Sequence, residues 1–185
     1  MSARTLYRIN VILVGLYIAW AVLVWPSLPE RIPVHFDLAG RPDGWSGTSI
    51  LRWFGLPFIA LVNLAVVWGA GRLARRSPQH WNVPEKERFL ALSPEAREPI
   101  VEMMDQFLAR TSLLITWVFG ALHVAVYTTA LGRTTGMSWY IGTVIAAAVV
   151  GPTVGAIVLA RRVGQMVREA SSREEHLEGA AGTGR

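Results

Sequence analysis

The run "LYRINVILVGLYIAWAVLVW", residues 6–25, decides the fold class of this chain of 185 residues. Arg8, near its start, is the only charged residue in it. At 1.5 Å of rise per helical residue, a run of this length crosses the hydrocarbon core of a bilayer, which is about 30 Å thick. A soluble amphipathic helix needs a polar face, which this run lacks. The run therefore predicts a transmembrane helix.

Three more apolar runs follow, at about 50–71, 111–131 and 138–160, and none carries Asp, Glu or Lys in its middle. Hydrophobic residues make up 52% of the chain and charged residues 17%, against about 45–50% and 25% in soluble domains. The first run could instead be a cleaved signal peptide, but it is too long for one and three more runs follow it. The sequence predicts one domain of four retained spans, residues 1–177, and a disordered glycine-rich tail over 178–185.

The positions of the basic residues predict the orientation. If the N-terminus is cytoplasmic, only four of the 18 Lys and Arg residues lie outside, namely Arg31, Arg41, Arg52 and Arg133. By the positive-inside rule, both termini are expected in the cytoplasm of a bacterium, with the chain in its plasma membrane. The net charge of +5 then reflects this bias, and the bilayer, rather than nucleic acid, is the expected partner. The absence of cysteine excludes disulfides, thiolate catalysis and Cys-based zinc sites.

The predicted outer loop, residues 26–49, contains the stretch "LPERIPVHFDLAGRPDGW" at 28–45. Prolines hold the residues before them extended, and Gly40 and the sequence Pro-Asp-Gly at 42–44 are typical of turns. The loop is therefore expected to be an ordered cap on the bundle.

Four side chains of this loop are candidate ligand-binding residues: His35, Asp37, Asp43 and Trp45. On an extended segment His35 and Asp37 share one face. One histidine and two aspartates are a weak metal signal, so we expect no metal and no cofactor. The alternative is structural, with His35 bonded to a backbone carbonyl and the two aspartates ordering their own turns.

The predicted inner loop, residues 72–110, carries a helix that begins at Ser93 as N-cap and contains Pro99. One face of this helix is apolar: Ile100, Met103, Met104, Phe107 and Leu108. Glu102, Asp105 and Ala109 fall elsewhere. We expect a kinked amphipathic helix at the inner membrane surface, which binds a cytoplasmic regulator. The alternative is a well-packed connector without a partner.

Polar residues within the spans form a second candidate site: Asn63, Thr116, His123 and Tyr127. On the third span, Ser112, Thr116, His123 and Tyr127 recur on one helical face, which should point into the bundle. They either make structural hydrogen bonds between helices or line a proton relay or substrate path. The small residues Gly151 and Gly155 on the fourth span favour close packing within the monomer or, as the alternative, a homo-oligomer.

The segment at 28–45 resembles the pattern that defines a family of small bacterial integral-membrane proteins of unknown function. This pattern is also found in the N-terminal part of the immunity protein against the sporulation-delaying, or cannibalism, toxin. The matching residues are Leu28, Pro29, Ile32, Pro33, His35, Phe36, Asp37, Gly40, Pro42, Asp43 and Trp45. A looser resemblance covers "NVPEKERFLALSPEAR" at 82–97, and His123 also has a counterpart in shorter relatives. The resemblance implies a membrane protein and, more distantly, a role in immunity or signal transduction.

The sequence thus predicts an all-α membrane protein: a four-transmembrane-helix bundle with an ordered Pro/Gly-rich outer loop and an amphipathic cytoplasmic segment. No catalytic motif is present, and an enzyme would have to assemble its site from Glu30, His35, Asp37 and Asp43. We therefore expect a non-enzymatic envelope sensor or immunity protein, whose outer loop recognises an extracellular peptide or toxin. The alternative is a small permease, or a permease subunit, with a polar path through His123 and Asn63.

Overall fold

The computed structural model describes residues 1–137 and 139–182. Over these residues the chain forms five α-helices and one antiparallel β-hairpin. In chain order they are α1 (Ala3–Val24), β1 (Arg31–Phe36), β2 (Pro42–Gly47), α2 (Ile50–Arg76), α3 (Lys86–Ala91), α4 (Pro94–Ala130) and α5 (Trp139–Gly182). Two short 3₁₀ turns, Trp25–Ser27 and Pro78–His80, follow α1 and α2.

Four of the helices are long and apolar enough to cross a membrane, as the sequence predicted. The candidate spans are Ala3–Ser27, Ile50–Arg76, Pro94–Ala130 and Ile141–Leu177. The chain is therefore a multi-pass membrane protein. Ser138, where the fourth span was predicted to begin, lies outside the described residues.

The helix α4 lies at the centre of the fold, where it contacts α1, α2, α5 and β1. Leu6, Val14, Leu64 and Ala109 form the core between α1, α2 and α4. A second core, at the hairpin end, centres on Trp53, whose indole nitrogen donates a hydrogen bond to the carbonyl oxygen of Ala21, 3.0 Å away. In lipid such a bond satisfies two groups that have no water to bind.

The inner connection is shorter than the predicted loop 72–110, since α2 continues to Arg76, whereas α4 begins at Pro94, where the sequence predicted the start of a helix. The Ser93 side chain caps α4 by accepting a hydrogen bond from the amide of Ala96, 3.2 Å away. The helix then continues through Pro99 into the third span. Its first turns do not lie on an open surface, because one face packs on α3 and α5 and the other on α1 and α2. The buried residues on the α3 and α5 side are Val83, Phe89, Leu92, Ile100, Val101, Met104, Val163 and Val167.

The helix α5 contains 44 residues, which at 1.5 Å of rise per residue is about twice the length needed to cross the hydrocarbon core. It is helical through Gly182, whereas the sequence predicted a disordered tail from residue 178. Residues 183–185 of that tail lie outside the described residues. Within the span, Gly155 lies against Phe107 of α4, and a Cβ at Gly155 would be 3.0 Å from the Phe107 ring. The small residue thus allows α5 to approach α4 within the monomer.

Candidate functional site

The β-hairpin sits at the end of the bundle where α1 ends and α2 begins. Its strands pair antiparallel with His35 opposite Gly44, and the register shifts between Pro33 and Phe36. The turn is closed by Asp37, whose amide donates to the carbonyl oxygen of Arg41 at 2.8 Å and whose carboxylate accepts from the Arg41 amide at 2.8 Å. These bonds fix the turn within the loop itself.

Three contacts fix the position of the hairpin, one with the helices, one between the two segments that flank its strands and one with the loop after α4. Ile32 is buried beside Trp53 and Ala21. The Thr48 hydroxyl donates to the carbonyl oxygen of Pro29 at 2.6 Å. At the turn, the carbonyl oxygen of Gly40 accepts a hydrogen bond from the amide of Met137, in the loop between α4 and α5. The hairpin is therefore attached at its base to α1 and α2 and at its turn to the loop after α4.

The exposed face of the hairpin carries a histidine–carboxylate pair. His35 Nδ1 lies 2.5 Å from Asp43 Oδ1, and both side chains are exposed to solvent. Trp45 and Val34, on the same two strands, are also exposed. Asp37, which the sequence grouped with His35, instead bonds to Arg41 in the turn. Over residues 1–137 and 139–182, no three His, Cys, Asp or Glu residues are close enough to hold a metal ion.

A second set of polar residues lines the face of α4 that points into the bundle; we call it the α4 seam. The seam comprises Asp105, Ser112, Thr116, His123 and Tyr127, together with their partners on the other helices. At the hairpin end, the Tyr127 hydroxyl lies 3.0 Å from the hydroxyl of Ser27, just after α1. The seam thus begins where the hairpin is attached.

Next along the seam, His123 is enclosed by aromatic rings and is 1% exposed. Its Nδ1 lies 3.0 Å from the Tyr17 hydroxyl, which also donates to the carbonyl oxygen of Phe119 at 3.2 Å. The ring centroid of Trp53 lies 3.9 Å from that of His123, and that of Trp20 lies 5.3 Å away. This enclosure fixes the orientation of the imidazole ring.

In the middle of the seam, Ser112 joins three helices. Its hydroxyl oxygen accepts from the side-chain amides of Asn10 at 3.0 Å and Asn63 at 2.9 Å. The Thr116 hydroxyl donates to the Ser112 carbonyl oxygen at 3.1 Å. The sequence left open whether Asn63 faces His123. The Asn63 side chain instead donates to Ser112, which lies 11 residues, or about 16 Å, from His123 along α4.

At the far end of the seam, Arg75 binds three carboxylates; this group and Tyr7 form the Arg75 cluster. The guanidinium donates to Asp105 Oδ2 at 2.7 Å, to Glu98 Oε1 at 2.9 Å, and to Glu102. The Tyr7 hydroxyl donates to Asp105 Oδ1 at 2.8 Å. Because Arg75 donates to Asp105 Oδ2 and Tyr7 donates to Asp105 Oδ1, both carboxylate oxygens of Asp105, which is only 4% exposed, have hydrogen-bond partners.

Sequence reasoning missed several members of the seam, namely Tyr7, Asn10, Tyr17, Arg75 and Asp105. A signal for the first three was present, because Tyr7, Asn10 and Tyr17 lie three and seven residues apart and so share one face of α1. Arg75 and Asp105 were assigned to the charged inner surface. Only the packing of α2 on α4 brings them together.

Comparisons with known proteins support a family of unknown function and assign no activity. Residues 12–61, which cover most of α1, the hairpin and the start of α2, match the family described as a domain of unknown function (DUF1648). A protein of Archaeoglobus fulgidus, described as an uncharacterized protein, is 24% identical over 145 residues, which cover 76% of this chain and 78% of the relative. No solved structure matches the chain. The chain is thus a membrane protein whose residues 12–61 are similar to a domain family of unknown function.

Proposed function

We propose that this protein is a non-enzymatic membrane sensor of the immunity or signal-transducing type. In this proposal the exposed face of the hairpin binds an extracellular peptide or toxin, and the α4 seam conveys the binding to the opposite side of the membrane. The observation that carries the proposal is the row of polar side chains along one face of α4, which makes three separate groups of contacts with α1 and α2, around His123, Ser112 and Asp105. Polar groups in hydrocarbon are costly to leave unpaired, so such a seam favours discrete arrangements over gradual deformation.

The recognition surface would be the pair His35 and Asp43 together with Trp45. A tryptophan beside a charged pair combines apolar contact area with directional hydrogen bonds, as is common at binding surfaces. Their side chains are exposed and make few contacts that the fold requires. The proposal places the peptide here because these groups are available for a partner.

The signal would then reach a cytoplasmic regulator near α3 and the C-terminal half of α5. Exposed side chains there include Leu90, Arg168 and Leu177. The apolar outer face of α5, which includes Val150, Val154 and Ile157, offers a surface on which a second copy of the chain could pack. The proposal thus includes two partners, a cytoplasmic regulator and a second copy of the chain.

A small permease is the second candidate function, because polar groups lie on one face of α4 along much of its length. The packing favours the sensor, since Thr116 and His123 are each 1% exposed and the aromatic rings around His123 fill the space that a solute would need. Asn63 and His123 are also separated along the helix. A permease would require these groups to move apart.

To test the sensor proposal, cells that express the chain are challenged with a panel of membrane-active peptide toxins, including the sporulation-delaying toxin. We expect protection against at least one peptide, which is lost in His35→Ala and Asp43→Asn but retained in Arg133→Ala, an exposed substitution outside the hairpin. No protection by the wild-type chain, or equal protection by the hairpin variants, would contradict the proposal. Proton or solute flux into proteoliposomes above that of empty liposomes would favour the permease instead.

A further inference from the structure

A cleft of about 1450 Å³ opens between α1 and α2 at the end of the bundle that holds the Arg75 cluster. The walls of the cleft farther from Arg75 are apolar, with Val11 and Ile12 on α1 and Leu61, Leu64 and Ala65 on α2. Most of these side chains are exposed. On a membrane-spanning bundle, an exposed apolar cleft of this kind faces lipid chains.

Three arginines line the part of the cleft nearer to Arg75: Arg4 and Arg8 on α1, and Arg72 on α2. Arg4 and Arg8 are four residues apart and so lie on the same side of their helix. The Arg72 guanidinium lies 4.7 Å from the ring centroid of Trp68, which also lines the cleft. Within the described parts of the chain, none of the three arginines forms an ion pair with a carboxylate.

The carboxylates that line the same cleft are already occupied. Glu98, Glu102 and Asp105 all bind the fourth arginine of the cleft, Arg75. Four arginines thus face three carboxylates, and the three free guanidinium groups lie on the side that opens between the helices. The cleft combines a net positive charge at one end with an apolar wall at the other.

We propose that this cleft binds one molecule of an anionic phospholipid in the leaflet on the side of the N-terminus. The phosphate binds Arg4, Arg8 and Arg72, since guanidinium groups match phosphate oxygens in geometry and charge. An acyl chain lies along Ile12 and Leu61. Basic pockets between transmembrane helices recognise lipid head groups in this way, and the indole ring of Trp68, which lines the cleft, suits a position beside the head group.

The distance between the two ends of the cleft fits this occupant. Leu61 and Arg72 are 11 residues apart on one continuous helix, which corresponds to about 16 Å. A phosphate held at Arg72 therefore places its acyl chain beside Leu61. A free phosphate ion would use the arginines alone and leave the apolar wall without a partner.

The test measures lipid binding to the full chain in nanodiscs of phosphatidylcholine with increasing phosphatidylglycerol, by native mass spectrometry and by the lipid retained on purification. The variant replaces Arg4, Arg8 and Arg72 by glutamine. The control removes the same charge from exposed positions on α5: Arg161, Arg162 and Arg173. We expect the variant to lose affinity for phosphatidylglycerol about a hundredfold, since it removes all three guanidinium groups that bind the phosphate in the cleft, and the control, whose arginines lie outside the cleft, to stay near wild type.

Two further measurements test the lipid site without the triple variant, in case that variant fails to fold. Ala65→Trp fills the apolar part of the cleft while leaving all three arginines, and we expect it to reduce phosphatidylglycerol binding as well. Inorganic phosphate should not displace the lipid at millimolar concentration. An equal loss in the α5 control, unchanged binding in Ala65→Trp, or displacement by phosphate alone would each overturn the proposal.

Discussion

The amide of Met137 donates a hydrogen bond to the carbonyl oxygen of Gly40, 2.7 Å away, and so joins the hairpin turn to the loop between α4 and α5. Gly40 has a φ of +76°, a conformation that favours glycine. A Cβ at Gly40 would lie 2.7 Å from the Met137 carbonyl oxygen. The two loops can therefore approach this closely only with glycine at position 40, and the position of the hairpin depends on the end of α4.

The hairpin itself requires glycine at position 44. A Cβ there would lie 2.9 Å from the Cβ of His35 on the opposite strand, whereas a Cβ at Gly47 would meet only the carbonyl oxygen of Glu30, 4.0 Å away. We predict that Gly44→Ala costs about 1–3 kcal/mol of hairpin stability through this overlap, and that Gly47→Ala is nearly neutral. Hydrogen exchange of the Asp37 and Thr48 amides measures the difference. Equal protection in both variants would show that the strand register differs from the one described.

The Arg75 cluster requires a second close approach, at Gly71. A Cβ at Gly71 would lie 2.5 Å from Asp105 Oδ1 and 3.0 Å from the Tyr7 hydroxyl, whereas a Cβ at Gly69 meets nothing within 4 Å. Gly71→Ala should therefore separate Asp105 from its partners and lower the free energy of unfolding by about 2–4 kcal/mol. Gly69→Ala, two residues away on α2, should be neutral or stabilising. Unfolding in a denaturing detergent titration compares the two, and similar losses would contradict the prediction.

Arg75 cannot be replaced by another basic residue if its planar fork is what holds the three carboxylates. Lysine keeps the charge but is a point donor without the fork geometry. Arg75→Lys should therefore cost about 1.5–3 kcal/mol, because it keeps a positive charge on a side chain that is 29% exposed but loses hydrogen bonds to the carboxylates. Arg76→Lys, the neighbouring residue, should change the free energy of unfolding little. If the two substitutions are equivalent, charge alone holds the cluster.

The apolar runs predicted the four spans because continuous apolarity over 20 residues has one common structural explanation. The candidate site was predicted less completely. His35 was grouped with Asp37 by strict alternation, but the register shift after Pro33 brings His35 against Asp43 instead. Such a bulge changes which residues share a face, and the local sequence does not specify it.

The Arg75 cluster could not be predicted for a different reason. Asp105 is 98 residues from Tyr7 and 30 from Arg75, so its partners are set by how three helices pack. On a single helix Asp105 has the pattern of a solvated charge. The sequence therefore predicts well which residue types lie near the membrane surface, but it does not predict which side chains pair between helices.

Glu85, just before α3 in the segment between α2 and α4, joins this segment to α5. Its carboxylate accepts hydrogen bonds from Arg168 of α5 at 2.8 Å and from Arg88 of α3 at 2.9 Å. The hydrogen bond from Arg168, together with the charges of both arginines, lowers the pKa of Glu85 below its ordinary value. A lowered pKa in the folded state means that this contribution to stability is complete at neutral pH and is lost as the pH falls through that lowered value.

We therefore predict that Glu85→Gln melts at a lower temperature than wild type at pH 7, and that the difference narrows toward pH 3, as the pH falls through the lowered pKa of the wild-type carboxyl. Glu87→Gln, an exposed carboxylate in the same turn, serves as the control and should show no such pH-dependent difference. Melting curves of the three purified proteins in one detergent, at both pH values, provide the comparison. The other carboxyl groups titrate in all three proteins and cancel in the difference. A gap between wild type and Glu85→Gln that is the same at pH 7 and pH 3 would mean that the ion pair with Arg168 does not stabilise the contact of this connection with α5.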